Sequence, residues 1–171
     1  VRHARLLGHK RETGGRVEVL ILGMLADGTW EALIRPARRI ATGVAIVFGR
    51  LEATVASDPV DGRVRLRFDD DADVEAEFEQ VGEMPLPPYI TEPLDRPDRY
   101  QTIYADRTGS AAAPTAGLHF TGTVIDGLAE RSIDMTSVEL QVGLGTFRPI
   151  AVEDVTQHAM HSERFSVSEA A

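Results

Sequence analysis

Between Tyr100 and Thr121 the chain gathers many of the side chains able to do chemistry. Tyr100-Gln101-Thr102-Ile103-Tyr104-Ala105 is followed by Gly109-Ser110-Ala111-Ala112-Ala113-Pro114-Thr115-Ala116-Gly117-Leu118-His119-Phe120-Thr121. Residues this small let the backbone approach a ligand closely, and a helix beginning just after them presents free amide groups to it. Thr115, His119 and Thr121 bring hydroxyl and imidazole groups to the same place. A histidine there suits general acid or base work near neutral pH. The same spacing also describes a tight loop capping a helix, with His119 merely hydrogen-bonded, and spacing alone favours that plainer reading.

Two further segments carry weaker signals. Gln141-Val142-Gly143-Leu144-Gly145-Thr146-Phe147-Arg148-Pro149 places Gly-x-Gly after an expected strand. The third glycine and the following helix of a nucleotide-binding turn are missing, so a strand with a permissive exit is the commoner explanation. His158-Ala159-Met160-His161-Ser162-Glu163 sets two histidines and a glutamate close together, as a zinc site would. Its histidines are three apart rather than four, however, without the glutamate between them that a metalloprotease helix uses. Hydrogen bonding to substrate or backbone is the expected role, and no metal is expected.

The elements that must hold these residues fall into two composition regimes. Residues 3–68 read as six short strands: His3–His9, Arg16–Leu25, Thr29–Arg35, Val44–Phe48, Leu51–Ser57 and Arg63–Phe68. Thr13-Gly14-Gly15, Ala26-Asp27-Gly28 and Asp58-Pro59-Val60-Asp61-Gly62 supply turn chemistry between them. In the last strand Val64, Leu66 and Phe68 alternate with Arg63, Arg65 and Arg67, the period of a half-buried strand. Strands at this spacing suggest a small closed antiparallel barrel or a sandwich. Asp69–Gln80 fits either period, and its Ala/Glu content tips it toward helix, with Asp69-Asp70-Asp71 favouring the helix start.

Met84-Pro85-Leu86-Pro87-Pro88-Tyr89 cannot continue a helix or a central strand, so a boundary is expected there. The expected division is a barrel with a trailing helix over 1–83 and a partial α/β domain over 84–171. In the second part, Arg96–Ala105 reads as a short helix, Gly109–Pro114 as a loop, and Met135–Val142 as a strand. Leu118–Arg131 reads as a helix burying Leu118, Val124 or Ile125, and Leu128. The overall class is α+β and multi-domain.

Charge is distributed unevenly around a net −9. Residues 1–50 carry nine Lys/Arg against four Asp/Glu, so a phosphate-facing patch can sit there on an acidic chain. Ordinary solvated strand ends explain the same residues equally well on composition alone. There is no cysteine, which excludes disulfides and thiolate metal sites and suits a reducing compartment. No apolar run approaches the roughly 18 residues of a membrane span, and no leader is evident. The first residue is valine and the last lie in polar sequence, so either end is compatible with a cut in a longer protein.

Taken together, MPLPPYI (84–90), YQTIYA (100–105), AAPTAGLHFT (112–121), GLGTFRP (143–149) and HAMHSE (158–163) resemble, in order and spacing, the S-adenosylmethionine:tRNA ribosyltransferase-isomerase family of queuosine synthesis. ETGGRVEVLIL (12–22) is similar to that family's inserted barrel. The resemblance covers nearly all of the chain, and AAPTAGLHFT is long and unusual. Two departures stand out: a family N-terminal segment and a long C-terminal part have no counterpart here, and Arg2-His3 stands where isoleucine and proline are usual.

The resemblance implies a six-stranded antiparallel barrel inserted into an α/β domain. It implies an enzyme that moves and isomerises the ribosyl part of S-adenosylmethionine, its cosubstrate, onto 7-aminomethyl-7-deazaguanine in a tRNA anticodon loop, releasing adenine and methionine. A first step that removes a proton from the ribose 5′ carbon needs a base, and the sulfonium needs an anionic or aromatic cage. On side-chain chemistry His119 is the first choice for acid/base work, with His161 and Glu163 secondary. Thr115 and the Pro114–Gly117 backbone would hold the cosubstrate or the base. Tyr100, Tyr104 and Phe120 would stack on adenine or face the sulfonium, while Arg11, Arg16 and Arg148 would meet RNA. A cytoplasmic monomer is expected. Because the chain looks truncated, activity of this piece alone is in question, and the rival expectation is a non-catalytic RNA-binding barrel derived from such an enzyme.

Overall fold

The computed structural model describes residues 1–69, 73–87, 90, 92, 95–143, 152–157 and 163–169. The chain divides into two compact units, Arg2–Pro85 and Val1 with Leu86–Ala171. Among the described residues no helix is long and apolar enough to cross a membrane.

The first unit is built from strands whose apolar residues recur at every second position, the period that turns one side of a strand toward a core. They are β1 (Arg5–Lys10), β2 (Arg16–Met24), β3 (Trp30–Arg35), β4 (Ala45–Phe48), β5 (Leu51–Val55) and β6 (Arg63–Phe68). Antiparallel pairing runs β1-β2-β3-β6-β5-β4 and returns to β1, so the sheet closes into a six-stranded barrel. Closure leaves none of the six with a wholly free edge, which removes the usual route to edge-to-edge aggregation. Inward residues fill the interior: Leu6, Val19, Ile21, Ile34, Ile46, Phe48, Val55, Val64 and Leu66 are all essentially inaccessible.

Gly8 shows why β1 needs a residue without a side chain at one crossing. A Cβ built there would lie 2.5 Å from Phe48 Cδ1 and 2.5 Å from the Val47 carbonyl. Glycine therefore lets β1 pass over the buried Phe48 ring.

The segment that fits both periods is the helix α1 (Val74–Val81). The Asp73 carboxylate accepts the Ala76 N–H at 3.2 Å, so the cap is Asp73 rather than Asp69. Asp70 and Asp71 lie outside the described residues. Phe78 is fully buried and meets Trp30 and Phe68 edge-on at centroid distances of 5.0 and 5.4 Å. The helix thus packs its one buried aromatic into the barrel core. The glutamates that mimic strand alternation are its outer face: Glu75 binds Arg2, Glu77 binds Arg50, and Glu79 approaches His3. A two-residue strand, β7 (Gly82–Glu83), then pairs with the start of β1.

In the second unit three expected elements are shorter than their sequence suggests. Arg96–Ala105 is not an α-helix; only Pro97–Tyr100 coils, as a 3₁₀ turn that buries Tyr100. Beyond it Gln101 is extended, because Thr102, Ile103 and Tyr104 are β-branched or aromatic and gain little from helix. Leu118–Arg131 divides into a 3₁₀ turn over Thr115–His119 and the helix α2 (Gly122–Ala129). Phe120 is extended between them, and the Thr121 hydroxyl accepts the Val124 N–H at 3.3 Å, starting a new helix there. Ile125 and Leu128 are half-buried, whereas Val124 is exposed. The strand expected over Met135–Val142 is confined to β8 (Val138–Gln141), paired with β9 (Arg164–Val167). One face of this pair is apolar, Val138 opposite Val167 and Leu140 opposite Phe165, and all four are exposed.

Candidate functional site

The residues singled out between Tyr100 and Thr121 meet around Gly117. The Gly117 N–H donates to the Pro114 carbonyl at 2.7 Å, and the Phe120 N–H donates to the Gly117 carbonyl at 3.1 Å. These two bonds make a compact 3₁₀ turn with Pro114 before it and Phe120 after it. A Cβ on Gly117 would strike the Tyr104 hydroxyl and lie 3.0 Å from Thr102 Cγ2. The glycine is thus the condition for Tyr104 to lie against the turn.

Tyr104 also meets Phe120 edge-on, with ring centroids 6.3 Å apart and planes at 89°. Both rings stay open to solvent, at 46% and 36% exposure, an arrangement that leaves aromatic faces available to a ligand. Thr115, Pro114 and His119 are exposed on the same turn, while Tyr100 is buried. His119 is exposed and makes no side-chain hydrogen bond among the described residues.

The small-residue stretch before the turn is held by the end of β8. Ser110 Oγ donates to the Leu140 carbonyl at 2.9 Å and accepts the Val142 N–H at 3.0 Å. The Ala111 N–H donates to the Val142 carbonyl at 2.9 Å, and Ala111, Ala112 and Ala113 are buried. Glu163 accepts the Gly143 N–H at 3.1 Å through one carboxylate oxygen. Three segments that looked independent in the sequence, 110–111, 142–143 and 163, are therefore one hydrogen-bonded unit. Ser110 was missed by sequence reasoning because it reads as one more small loop residue.

His161 and Arg148 lie outside the described residues, as does His158. Among the described residues there is no group of three or more His, Cys, Asp or Glu side chains that could hold a metal. On the barrel, Arg11 is bound to Glu52, whereas Arg16 is exposed and makes no ion pair among the described residues.

A family model described as queuosine biosynthesis protein matches residues 1–171. The chain belongs to the queuosine biosynthesis protein family. Among its curated relatives, the S-adenosylmethionine:tRNA ribosyltransferase-isomerase of Symbiobacterium thermophilum is 52% identical over 169 residues, covering 96% of this chain and 49% of the relative. The protein of the same name from Clostridioides difficile is 47% identical over 170 residues, covering 98% and 50%. The crystal structure of the S-adenosylmethionine tRNA ribosyltransferase from Thermotoga maritima aligns at 26% identity with a TM-score of 0.39, covering 83% of this chain and 38% of that one. The chain spans about half the length of the curated family relatives it matches.

Proposed function

We propose that this chain supplies the barrel and part of the α/β domain of an S-adenosylmethionine:tRNA ribosyltransferase-isomerase. The observation that carries the reading is identity of 47–52% to enzymes of that name along almost the whole chain. The exposed apolar face of β8 and β9 supports a larger assembly, since such a face is ordinarily covered. In this reading the remaining half of the enzyme covers it, and activity needs that half.

The fit of the cosubstrate rests on the aromatic pair. A sulfonium cation is attracted to the faces of aromatic rings, and Tyr104 and Phe120 offer two beside a turn with no side chain at Gly117. When bound, S-adenosylmethionine supplies an activated ribosyl group whose 5′ carbon is acidified by the neighbouring positive sulfur. His119, exposed on the turn, takes that proton, while Thr115 and the Pro114–Gly117 backbone orient the nucleoside. Glu163, anchored by the Gly143 amide, is the second acid/base group, with His161 a further candidate. The acceptor is 7-aminomethyl-7-deazaguanine in a tRNA anticodon loop, where an unpaired base is splayed out at modest cost. The protein acts in the cytoplasm as a monomer.

The test is adenine release by an enzyme carrying this sequence. Release should require both S-adenosylmethionine and tRNA bearing the aminomethyl deazaguanine, and His119→Ala should lower it by roughly 10²-fold or more. Undiminished turnover of that variant removes His119 from proton transfer, and release without tRNA contradicts the reading. A second reading, a non-catalytic RNA-binding barrel, draws on the barrel arginines that make no ion pair among the described residues. It would show salt-dependent tRNA binding with no adenine release.

A further inference from the structure

The outer surface of β1, β2 and β3 carries a groove of about 1000 Å³ lined by Leu7, His9, Arg16, Glu18, Arg35 and Pro36, among others. Strand register explains how these residues come together. Leu7, Glu18 and Arg35 are direct cross-strand partners across the three strands, and His9 is opposite Arg16 one row further along. Arg16 and Glu18 are two apart on β2 and therefore share its outer face. Arg16 thus lies diagonally from Arg35, a separation long side chains bridge easily.

The charge balance of the groove follows from who pairs with whom. Glu18 is its one acid, and its carboxylate is taken up by Arg5 at 3.1 and 3.4 Å. Four other barrel arginines are similarly neutralised, Arg11 by Glu52, Arg50 by Glu77, Arg63 by Glu31 and Arg65 by Asp27, whereas Arg67 on β6 is exposed and makes no ion pair among the described residues. Arg16 and Arg35 have no such partner among the described residues, and both are exposed. Arg38 and Arg39, on the 3₁₀ turn just after Pro36, are exposed as well and likewise have none. Leu7, half exposed on β1, flanks this row, and Glu18 stands between it and Arg35. In a chain of net charge −9, a groove with two exposed guanidinium groups that lack a carboxylate partner among the described residues offers local positive charge to an anion.

We infer that this groove is a docking site for the phosphate backbone of the tRNA substrate, with Arg16 and Arg35 each contacting a phosphate. The inference rests on the proposed function, which supplies tRNA as the partner, and adds the surface that receives it. Arginine binds phosphate bidentately, and such contacts position RNA without reading its sequence. The groove therefore contributes to tRNA affinity and takes no part in the chemistry.

The experiment is tRNA binding by an enzyme carrying this sequence, measured between 50 and 200 mM salt (about the range over which phosphate contacts are lost). The Arg16→Gln/Arg35→Gln variant should bind on the order of tenfold more weakly at low salt, with the log–log salt slope reduced by about 1.5 to 2. Its kcat at saturating tRNA should be unchanged while KM for tRNA rises. Arg16→Lys/Arg35→Lys should restore most of the slope, and Arg63→Gln, which removes a neutralised arginine elsewhere on the barrel, should leave it unaltered. A wild-type slope in the double Gln variant overturns the inference, as does a variant that changes self-association instead of tRNA binding. Failure of the wild-type protein to bind tRNA at all would instead overturn the proposed function.

Discussion

Gly117 links the small-residue motif to a physical requirement. Its missing Cβ is the space occupied by the Tyr104 hydroxyl, and Tyr104 in turn meets Phe120. Gly117→Ala should therefore displace Tyr104 and open the aromatic pair while leaving the barrel intact. A desolvated cation–π contact is worth up to about 2 kcal/mol, so S-adenosylmethionine affinity should fall roughly 10- to 30-fold. Calorimetric titration checks this, and an unchanged Kd would detach the aromatic pair from cosubstrate binding. At this scale the sequence was only partly legible. It marks Gly117, Tyr104 and Phe120 by type and by family resemblance, but the pairing of Tyr104 with Phe120 depends on two turns packing together. Arg35 was legible only as one of the basic residues of the first third: that it lacks a carboxylate partner among the described residues is a property of neighbours and not of spacing.

Among the elements, the barrel strands were the most legible because alternation over five or six residues has one solution when one face must be buried. Val64, Leu66 and Phe68 against three arginines is the clearest case, and the observed strand has the bounds its pattern suggests. The helix α1 was harder, since Val74, Ala76 and Phe78 alternate as in a strand while Val74, Phe78 and Val81 fit a helical stripe. The Asp73 cap and the packing of Phe78 against Trp30 and Phe68 decide it. Phe78→Ala should cost about 3–5 kcal/mol, as deletion of a fully buried aromatic does, read as a lower urea midpoint with little change in the secondary structure of the strands. A variant as stable as the parent would mean that α1 does not share the barrel core. In the second unit, helix was overread on both sides of the small-residue loop. Local caps at Thr121 and the run Thr102-Ile103-Tyr104 broke what hydrophobic spacing alone had joined.

For the molecule as a whole, the proposed reading rests on charge in one unit and on aromatic and apolar surface in the other. The barrel carries Arg16 and Arg35, without ion pairs among the described residues, on one outer groove, while the second unit presents an aromatic turn and an exposed apolar strand pair. Under the proposed function, one unit steadies RNA and the other handles a small cationic cosubstrate. The central claim is that the cosubstrate sits on the Tyr104–Gly117–Phe120 turn. Its most direct test is a crystal structure of an enzyme carrying this sequence with S-adenosylmethionine bound. The account predicts the sulfonium within about 6 Å of the Tyr104 or Phe120 ring centroid, with the ribose beside His119. Density for the cosubstrate on any surface that leaves these residues untouched would contradict it.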